Sequence, residues 1–234
     1  MSDRSHRRKP KKSRMFTVRP FIDPARPPST ATMTVLAYAG EKYVERVING
    51  TDELESYIGT WPVVWLNIDG LTDRDLLTDV GNYFGIRHLS SNDAITLQQR
   101  AKFEKHAHVY NLICHMVAVQ DGVQSEQLNI FLGSNFVITL QDGPIDCLDP
   151  ARERIRKNTG IICRMGPDYL VYSLVQSVVG AYFPILELYG ERLDQLEDQI
   201  IDYPTREVIA QIHTVKRDLL ALRRTIWPLR EAIN

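Results

Sequence analysis

The sequence predicts an α/β/α layered domain with a mixed, largely antiparallel sheet, followed by a long antiparallel helical hairpin, a fold class between α+β and α/β. A continuous apolar run, VVWLNI at 63–68, is typical of a strand that is buried on both faces of a layered sheet. Three further apolar runs follow one another across an Asp121-Gly122 turn and a Gly133-Ser134-Asn135 turn, which indicates antiparallel neighbours. The last third has apolar residues at steps of three and four, the period of paired helices.

The chain divides into three parts by composition. Residues 1–14 carry a net charge of +6, and a Pro-rich stretch follows, so 1–32 are expected to form a disordered basic tail and linker. Residues 33–165 contain the predicted α/β/α domain. Residues 166–234 form the predicted hairpin, whose apolar spacing continues to Asn234, and we therefore expect a longer parent protein.

Local signals place the elements in chain order. The runs MTVLAYAG and YVERVI flank a Gly-Glu-Lys turn and predict a β-hairpin, and 51–58 predicts a short helix. Thr72 can cap a helix that runs to about Phe84, and a second short helix is expected over 92–97. The strands VYNLICHMVAV, VQSEQLNIFL and FVITLQ come next, and a helix is expected around DCLDPARERIRKN.

The predicted hairpin has one apolar seam on each helix. The residues that form these seams are Leu186, Tyr189, Leu193, Leu196 and Ile200 on the first helix, and Val208, Ile212, Val215, Leu219, Leu222, Ile226 and Leu229 on the second. Tyr203-Pro204 interrupts the pattern between them, so the two helices can pair antiparallel across this turn.

Composition and motif searches exclude several classes. The 234 residues are 44% hydrophobic and 24% charged, the balance of a globular protein. Three cysteines without CxxC spacing fit a reducing compartment. The sequence contains no GxGxxG, GxxxxGK[ST], GxSxG or HExxH motif, so we expect no enzyme and no catalytic residue.

A zinc cluster of His106, His108, Cys114 and His115 is the one metal constellation that spacing suggests. Alternation along the strand opposes it, because Cys114 shares a face with the apolar residues and His115 points to the other side.

Four stretches together resemble the cytoplasmic domain of CorA-type magnesium/cobalt transporters. They are WLNIDGLTD (65–73), YFGIRHL (83–89), DPARERIRKNTGIICRMGPDYLVYSLV (149–175) and HTVKRDLLALRRTIWPLRE (213–231). The last is the most specific, since few helices carry Ile-Trp-Pro-Leu-Arg within a run. The resemblance covers about residue 33 to the end.

The resemblance implies a function and a location. It implies a regulatory domain of a homopentameric channel at the cytoplasmic side of the cell inner membrane, with the stalk helix, the membrane spans and the Gly-Met-Asn pore motif outside this chain. Mg²⁺ bound between neighbouring protomers would favour the closed state as a low-affinity regulatory ion, with Co²⁺ or other divalent cations as further candidates. The implied partners are other copies of the chain and, through the absent segment, the membrane; a nucleic-acid partner is not expected.

The same resemblance places the metal site. The family's acidic position after its FGIHPL segment falls on Asp93, the position before it, often Glu in the family, falls on Asn92, and a further acid falls on Gln176. Fewer carboxylates mean weaker Mg²⁺ binding. Asp93 can equally serve as a helix N-cap.

Two other functions remain open at this stage. The zinc-transporting branch of the same superfamily has a similar cytoplasmic layout. A soluble coiled-coil module that binds a polyanion through residues 1–14 is the alternative from another class.

Overall fold

The computed structural model describes residues 31–86, 89, 99–106, 108–120, 122–202 and 205–234, and these form a mixed sheet with helices on both faces. The strands are β1 (Thr32–Ala39), β2 (Lys42–Ile48), β3 (Val63–Asp69), β4 (Lys102–His106), β5 (Val109–Val119), β6 (Val123–Leu132) and β7 (Phe136–Gln141). The helices are α1 (Glu55–Ile58), which continues a 3-10 turn at Thr51–Leu54, then α2 (Arg74–Phe84), α3 (Asp149–Arg156), α4 (Pro167–Asp202) and α5 (Arg206–Ile233).

The seven strands lie in the order β2-β1-β3-β7-β6-β5-β4. Strands β3 and β7 run parallel, with Val64 opposite Phe136 and Asp69 opposite Gln141, and the other described neighbours are antiparallel. This confirms the predicted mixed, largely antiparallel sheet. It also puts the apolar run that contains Trp65 in the interior of the sheet, where both faces are covered.

Two hydrophobic cores lie on opposite faces of the sheet. Strand residues such as Leu66 and Ile138 pack with α2 on one face. Residues such as Trp65 and Leu128 pack with α3, α4 and α5 on the other. The layers are therefore helix, sheet and helix, as the sequence predicts.

Strand β4 was not predicted. Three of its five residues, KFEKH, are charged, and the run is too short and too polar to stand out from a loop. It forms because β5 offers an open edge, along which Phe103 pairs with Leu112.

The hairpin pairs as predicted on α5 and differently on α4. On α5, Val208, Val215, Leu222 and Leu229 are buried at a strict seven-residue step. On α4, Tyr189 and Leu196 are buried as predicted. Leu186, Leu193 and Ile200 remain 43%, 42% and 39% exposed, so their assignment to the seam is wrong. The reason lies in the first half of α4, because the stripe that faces the sheet continues into the hairpin through Ile185, Tyr189 and Leu196. The buried residues of that stripe are Leu170, Leu174, Val178, Tyr182, Ile185, Tyr189 and Leu196.

A buried carboxylate joins the two long helices. The hydroxyl of Tyr189 on α4 donates a hydrogen bond of 2.8 Å to Asp218 on α5, and Asp218 is only 6% exposed. The guanidinium of Arg192 lies 5.3 Å from the centre of the Tyr189 ring. A polar contact of this kind holds the two helices in one register, since sliding would leave a buried charge without its donor.

Helix α4 is long and apolar enough to cross a membrane by length and composition alone. Leu170, Leu174 and Val178 are fully buried against the sheet. Its first half therefore packs as the core helix of a layered domain, which is a common origin of such hydropathy.

Helix α2 begins one residue later than predicted. Asp73, not Thr72, is the N-cap, and its carboxylate accepts the backbone N–H of Leu76 at 3.0 Å. The helix ends at Gly85, whose φ of 66° lies in the left-handed region that glycine adopts without strain.

A bidentate ion pair ties α3 to the edge strand β2, and its contribution should depend on pH. Arg156 Nε and Nη2 donate to the two oxygens of Glu45 at 2.8 and 2.7 Å. These hydrogen bonds hold the pKa of Glu45 below its ordinary value of 4.5. The stabilisation is thus fully present above the unfolded pKa and is lost as the pH falls through the lower folded pKa.

We therefore expect Glu45→Gln to lower the free energy of unfolding by no more than about 1 kcal/mol at neutral pH, because the pair is partly exposed to solvent. Urea unfolding at a series of pH values checks this, with the exposed Glu41→Gln as the control. An undiminished difference between Glu45→Gln and the native chain at strongly acidic pH would contradict it.

Candidate metal-binding segment and the adjacent polar strip

The predicted metal-site residues Asn92 and Asp93 lie outside the described residues, so their assignment stays a prediction. The segment that carries them joins α2 to β4. On its α2 side, Ile86 and Leu89 are buried in the core beneath α2. On its β4 side, the backbone N–H of Gln99 donates to the side-chain oxygen of Gln127 at 2.9 Å.

A histidine fixes the point at which the chain leaves α2. His108 Nε2 lies 2.9 Å from the carbonyl oxygen of Phe84, and its ring also sits against Gly85. A Cβ at Gly85 would approach the His108 ring to 3.2 Å, in addition to the strain of its positive φ. Both ends of the segment with Asp93 are thus held against the sheet.

The third position that the resemblance indicates supplies no charge. Gln176 is exposed on α4, and its side-chain oxygen accepts a hydrogen bond of 2.8 Å from Arg154 on α3. A neutral amide bound to a guanidinium is a poor ligand for Mg²⁺, which prefers carboxylates and water. In this chain the position links two helices.

Among the described residues, no group of three or more His, Cys, Asp or Glu side chains could hold a metal ion. The proposed zinc cluster separates as strand alternation predicts. Cys114 is buried against the carbonyl of Leu128, and burial raises the pKa of its thiol to about 12, so it stays protonated. His106 lies 3.5 Å from Glu104 instead.

Sequence reasoning did not recognise a strip of buried polar side chains near the carboxyl ends of β3 and β7. Asn67 and Thr139 lie opposite each other in the parallel pair, on the face that Trp65 shares. Trp65 Nε1 donates to Thr139 Oγ1 at 2.8 Å, and Thr139 donates to Asn67 at 2.7 Å. The available signal was polar residues at the ends of otherwise apolar runs, at Asn67 and Asp69 and at Thr139 and Gln141.

Glu126 on β6 anchors the loop that follows β7. Its carboxylate accepts the backbone N–H groups of Asp142, Gly143 and Ile145. Burial raises the pKa of Glu126, while the three N–H donors act in the opposite direction. The loop is tied to the rest of the sheet end as well, because Asp142 accepts the backbone N–H of Leu71 at 2.8 Å.

Arg152 of α3 covers this strip from above. Its Nη1 donates to Asp146 at 2.7 Å and to Asp149 at 2.9 Å. Its guanidinium carbon also lies 5.4 Å from the centre of the Trp65 ring, a cation–π arrangement. Through these contacts Arg152 joins the polar strip to the loop after β7 and to α3.

Comparison with known proteins agrees with this architecture. A family model described as "CorA-like Mg2+ transporter protein" matches residues 62–234. The chain is 34% identical over 203 residues to the cobalt/magnesium transport protein CorA of Thermotoga maritima, which covers 86% of this chain and 58% of that protein. The chain therefore spans little more than half the length of this relative.

Solved structures share the fold. The soluble domain of CorA from Methanocaldococcus jannaschii superposes with a TM-score of 0.69 at 18% identity, covering 86% of this chain and 76% of the other. The cytoplasmic domain of ZntB from Vibrio parahaemolyticus gives a TM-score of 0.62 at 13% identity, with 86% and 77% coverage. At these identities the likeness establishes the fold alone.

The family match also agrees with the expectation that the chain is not an enzyme, since the matched family consists of ion transporters. The family model matches more than half of the chain. The Thermotoga protein is 34% identical over 203 residues, which is enough to establish family membership. The chain belongs to the CorA family of Mg²⁺ transporter proteins.

Proposed function

We propose that this chain is the cytoplasmic regulatory domain of a homopentameric Mg²⁺ transporter, in which Mg²⁺ bound between neighbouring protomers favours the closed state. The observation that carries the proposal is the family match over residues 62–234 together with the 34% identical cobalt/magnesium transport protein. We propose Co²⁺ as a second transported ion, because the Thermotoga relative is a cobalt/magnesium transport protein. The cytoplasmic side of the inner membrane is the location that goes with this function.

In this proposal Asp93 is the charged ligand on one side of the interface. The described residues on either side of its segment are anchored, because Leu89 is buried in the core and Gln99 is hydrogen-bonded to β6. Asn92 provides an amide oxygen at most, and Gln176 is bound to Arg154. A site with one carboxylate per protomer binds Mg²⁺ weakly and keeps several of its waters.

Titration of the 234-residue chain with Mg²⁺ tests the proposal. We expect Mg²⁺ to raise both the melting temperature and the weight-average sedimentation coefficient, because ions shared between protomers favour association. At a Mg²⁺ concentration about 20 times the dissociation constant, binding to the folded state alone adds about 1.8 kcal/mol of stability.

Three variants identify the ligand. Asp93→Ala should abolish both responses, and Asn92→Asp should shift them to lower Mg²⁺ concentration by adding a carboxylate. Asp79→Ala, an exposed acid on α2, is the matched control and should respond like the native chain. An equal response of Asp93→Ala and Asp79→Ala would remove Asp93 from the site, and a response to Zn²⁺ without one to Mg²⁺ would favour the zinc-transporting branch.

A further inference from the structure

A cavity of about 590 Å³ lies where the C-terminal half of α5 meets the end of the sheet. Its volume falls within the range of small-molecule sites in proteins, about 300–1,000 Å³. Residues 99–101, strands β5 and β6, the loop after β7 and one face of α5 form its walls. A ligand in this cavity would touch both the sheet and the helical hairpin.

Two arginines without internal partners line the cavity. Arg100 precedes β4 and Arg224 lies on α5, and within the described part of the chain neither guanidinium forms an ion pair or a hydrogen bond. This distinguishes them from Arg152 and Arg156, which are both bound to carboxylates. The cavity thus has hydrogen-bond donors and positive charge that the fold itself does not use.

The acidic residues of the lining are already engaged. Both oxygens of Glu126 accept backbone N–H groups, and Asp142 accepts the N–H of Leu71. These dipoles offset much of the negative charge that would otherwise oppose an anion. The lining therefore suits an anion better than the formal charges alone would indicate.

A histidine adds a further polar group. The Nδ1 atom of His115 is buried and has no hydrogen-bond partner in the ranges that the structure describes. Burial lowers the pKa of His115, so the ring is neutral at neutral pH and can hydrogen-bond a ligand without a charge of its own. Buried polar atoms without a partner are uncommon in folded proteins, and a bound water, ion or ligand is one explanation for such an atom.

We propose that this cavity binds a small anion of the phosphate or carboxylate class, held by Arg100 and Arg224. A guanidinium presents paired donors that match phosphate and carboxylate oxygens in a bidentate geometry. The cavity has room for more than the anionic group, so the ligand is a small metabolite that carries it. This ligand site is independent of the metal site proposed at Asp93 and bridges α5 to the sheet.

Calorimetric titration of the full chain with inorganic phosphate, pyrophosphate and citrate tests the proposal. We expect one site per chain for at least one of these probes, and the stronger of pyrophosphate and citrate identifies the class. Arg100→Gln and Arg224→Gln should each weaken binding about tenfold or more, since each removes a charge-assisted hydrogen bond. Both side chains are exposed, so both variants should fold.

Arg223→Gln is the matched control. Arg223 is the neighbour of Arg224 on α5, but its guanidinium lies over the ring of Trp227, 5.6 Å from the centre, and it does not line the cavity. Equal loss in Arg223→Gln and Arg224→Gln would show non-specific charge attraction and overturn the proposal. So would the absence of saturable binding for every probe up to about 10 mM, a concentration well above a millimolar dissociation constant.

Asp93→Ala separates this inference from the proposed function. It should leave anion binding unchanged while it removes the response to Mg²⁺. Loss of anion binding in Asp93→Ala would contradict the independence of the two sites.

Discussion

Replacing Trp65 with alanine should destabilise the domain by about 3–5 kcal/mol, the range for removing a large aromatic side chain from a core. Trp65 is only 1% exposed and lies in the interior of the sheet. Its loss would leave a cavity beneath α3, and it would remove the N–H donor to Thr139 and the ring on which Arg152 lies. Urea unfolding followed by circular dichroism measures the change in free energy.

Two further variants make this prediction specific. Trp65→Phe keeps an aromatic ring but loses the donor to Thr139, so we expect a loss intermediate between the native chain and Trp65→Ala. Trp227→Ala removes the same type of side chain from a position that is 49% exposed on α5, and it should cost far less. Similar losses for Trp65→Ala and Trp227→Ala would show that burial of Trp65 does not carry the effect.

Glu126→Ala should cost about 2–4 kcal/mol, because three backbone N–H groups at the start of the loop after β7 would lose their acceptor. In this variant solvent must replace the carboxylate as the acceptor for these N–H groups. The stability of Glu126→Gln should lie between those of the native chain and Glu126→Ala, since the amide keeps one oxygen acceptor but turns an NH₂ group towards the remaining donors.

Chemical unfolding of these variants and hydrogen exchange at the amides of Asp142, Gly143 and Ile145 check the prediction. Exchange at those amides should accelerate more than exchange in α4, which the loop does not stabilise directly. Glu104→Gln is the control, because Glu104 is a partly exposed acid that pairs with Lys102 on the edge strand, and it should change stability by less than about 1 kcal/mol. Slow exchange at all three amides in Glu126→Ala would refute the anchoring role.

Much of the fold follows from local patterns in the sequence. The run around Trp65 indicates a strand covered on both faces, and the Asp121-Gly122 pair indicates the hairpin of β5 and β6, because each is a short-range signal. Strand β4 was not predicted because it becomes a strand by pairing with the open edge of β5, and not through its own propensity. Leu186, Leu193 and Ile200 were wrongly assigned to the α4 seam since the sheet, which is distant in sequence, sets the orientation of that helix.

The residues of the candidate sites are harder to predict from the sequence than the fold. The assignment of Asp93 and Asn92 depends on resemblance, and it stays a prediction. Arg100 lies in no motif, and Arg224 lies within the family-like stretch 213–231, which by itself indicates no ligand. Only the fold places Arg100 and Arg224 in the lining of one cavity, so one sequence alone could not have paired them.

The parallel pairing of β3 with β7 has a consequence for how the chain folds. The hairpins β1–β2 and β5–β6–β7 each close through short turns, but Val64 must meet Phe136, which lies 72 positions further along the chain. Closing so long a loop costs entropy before the stabilising contacts form, and such distant contacts therefore slow folding. On a ribosome, the first three strands would therefore emerge well before the partner that completes the sheet, and the open side of β3 would stay exposed until residues 136–141 leave the exit tunnel.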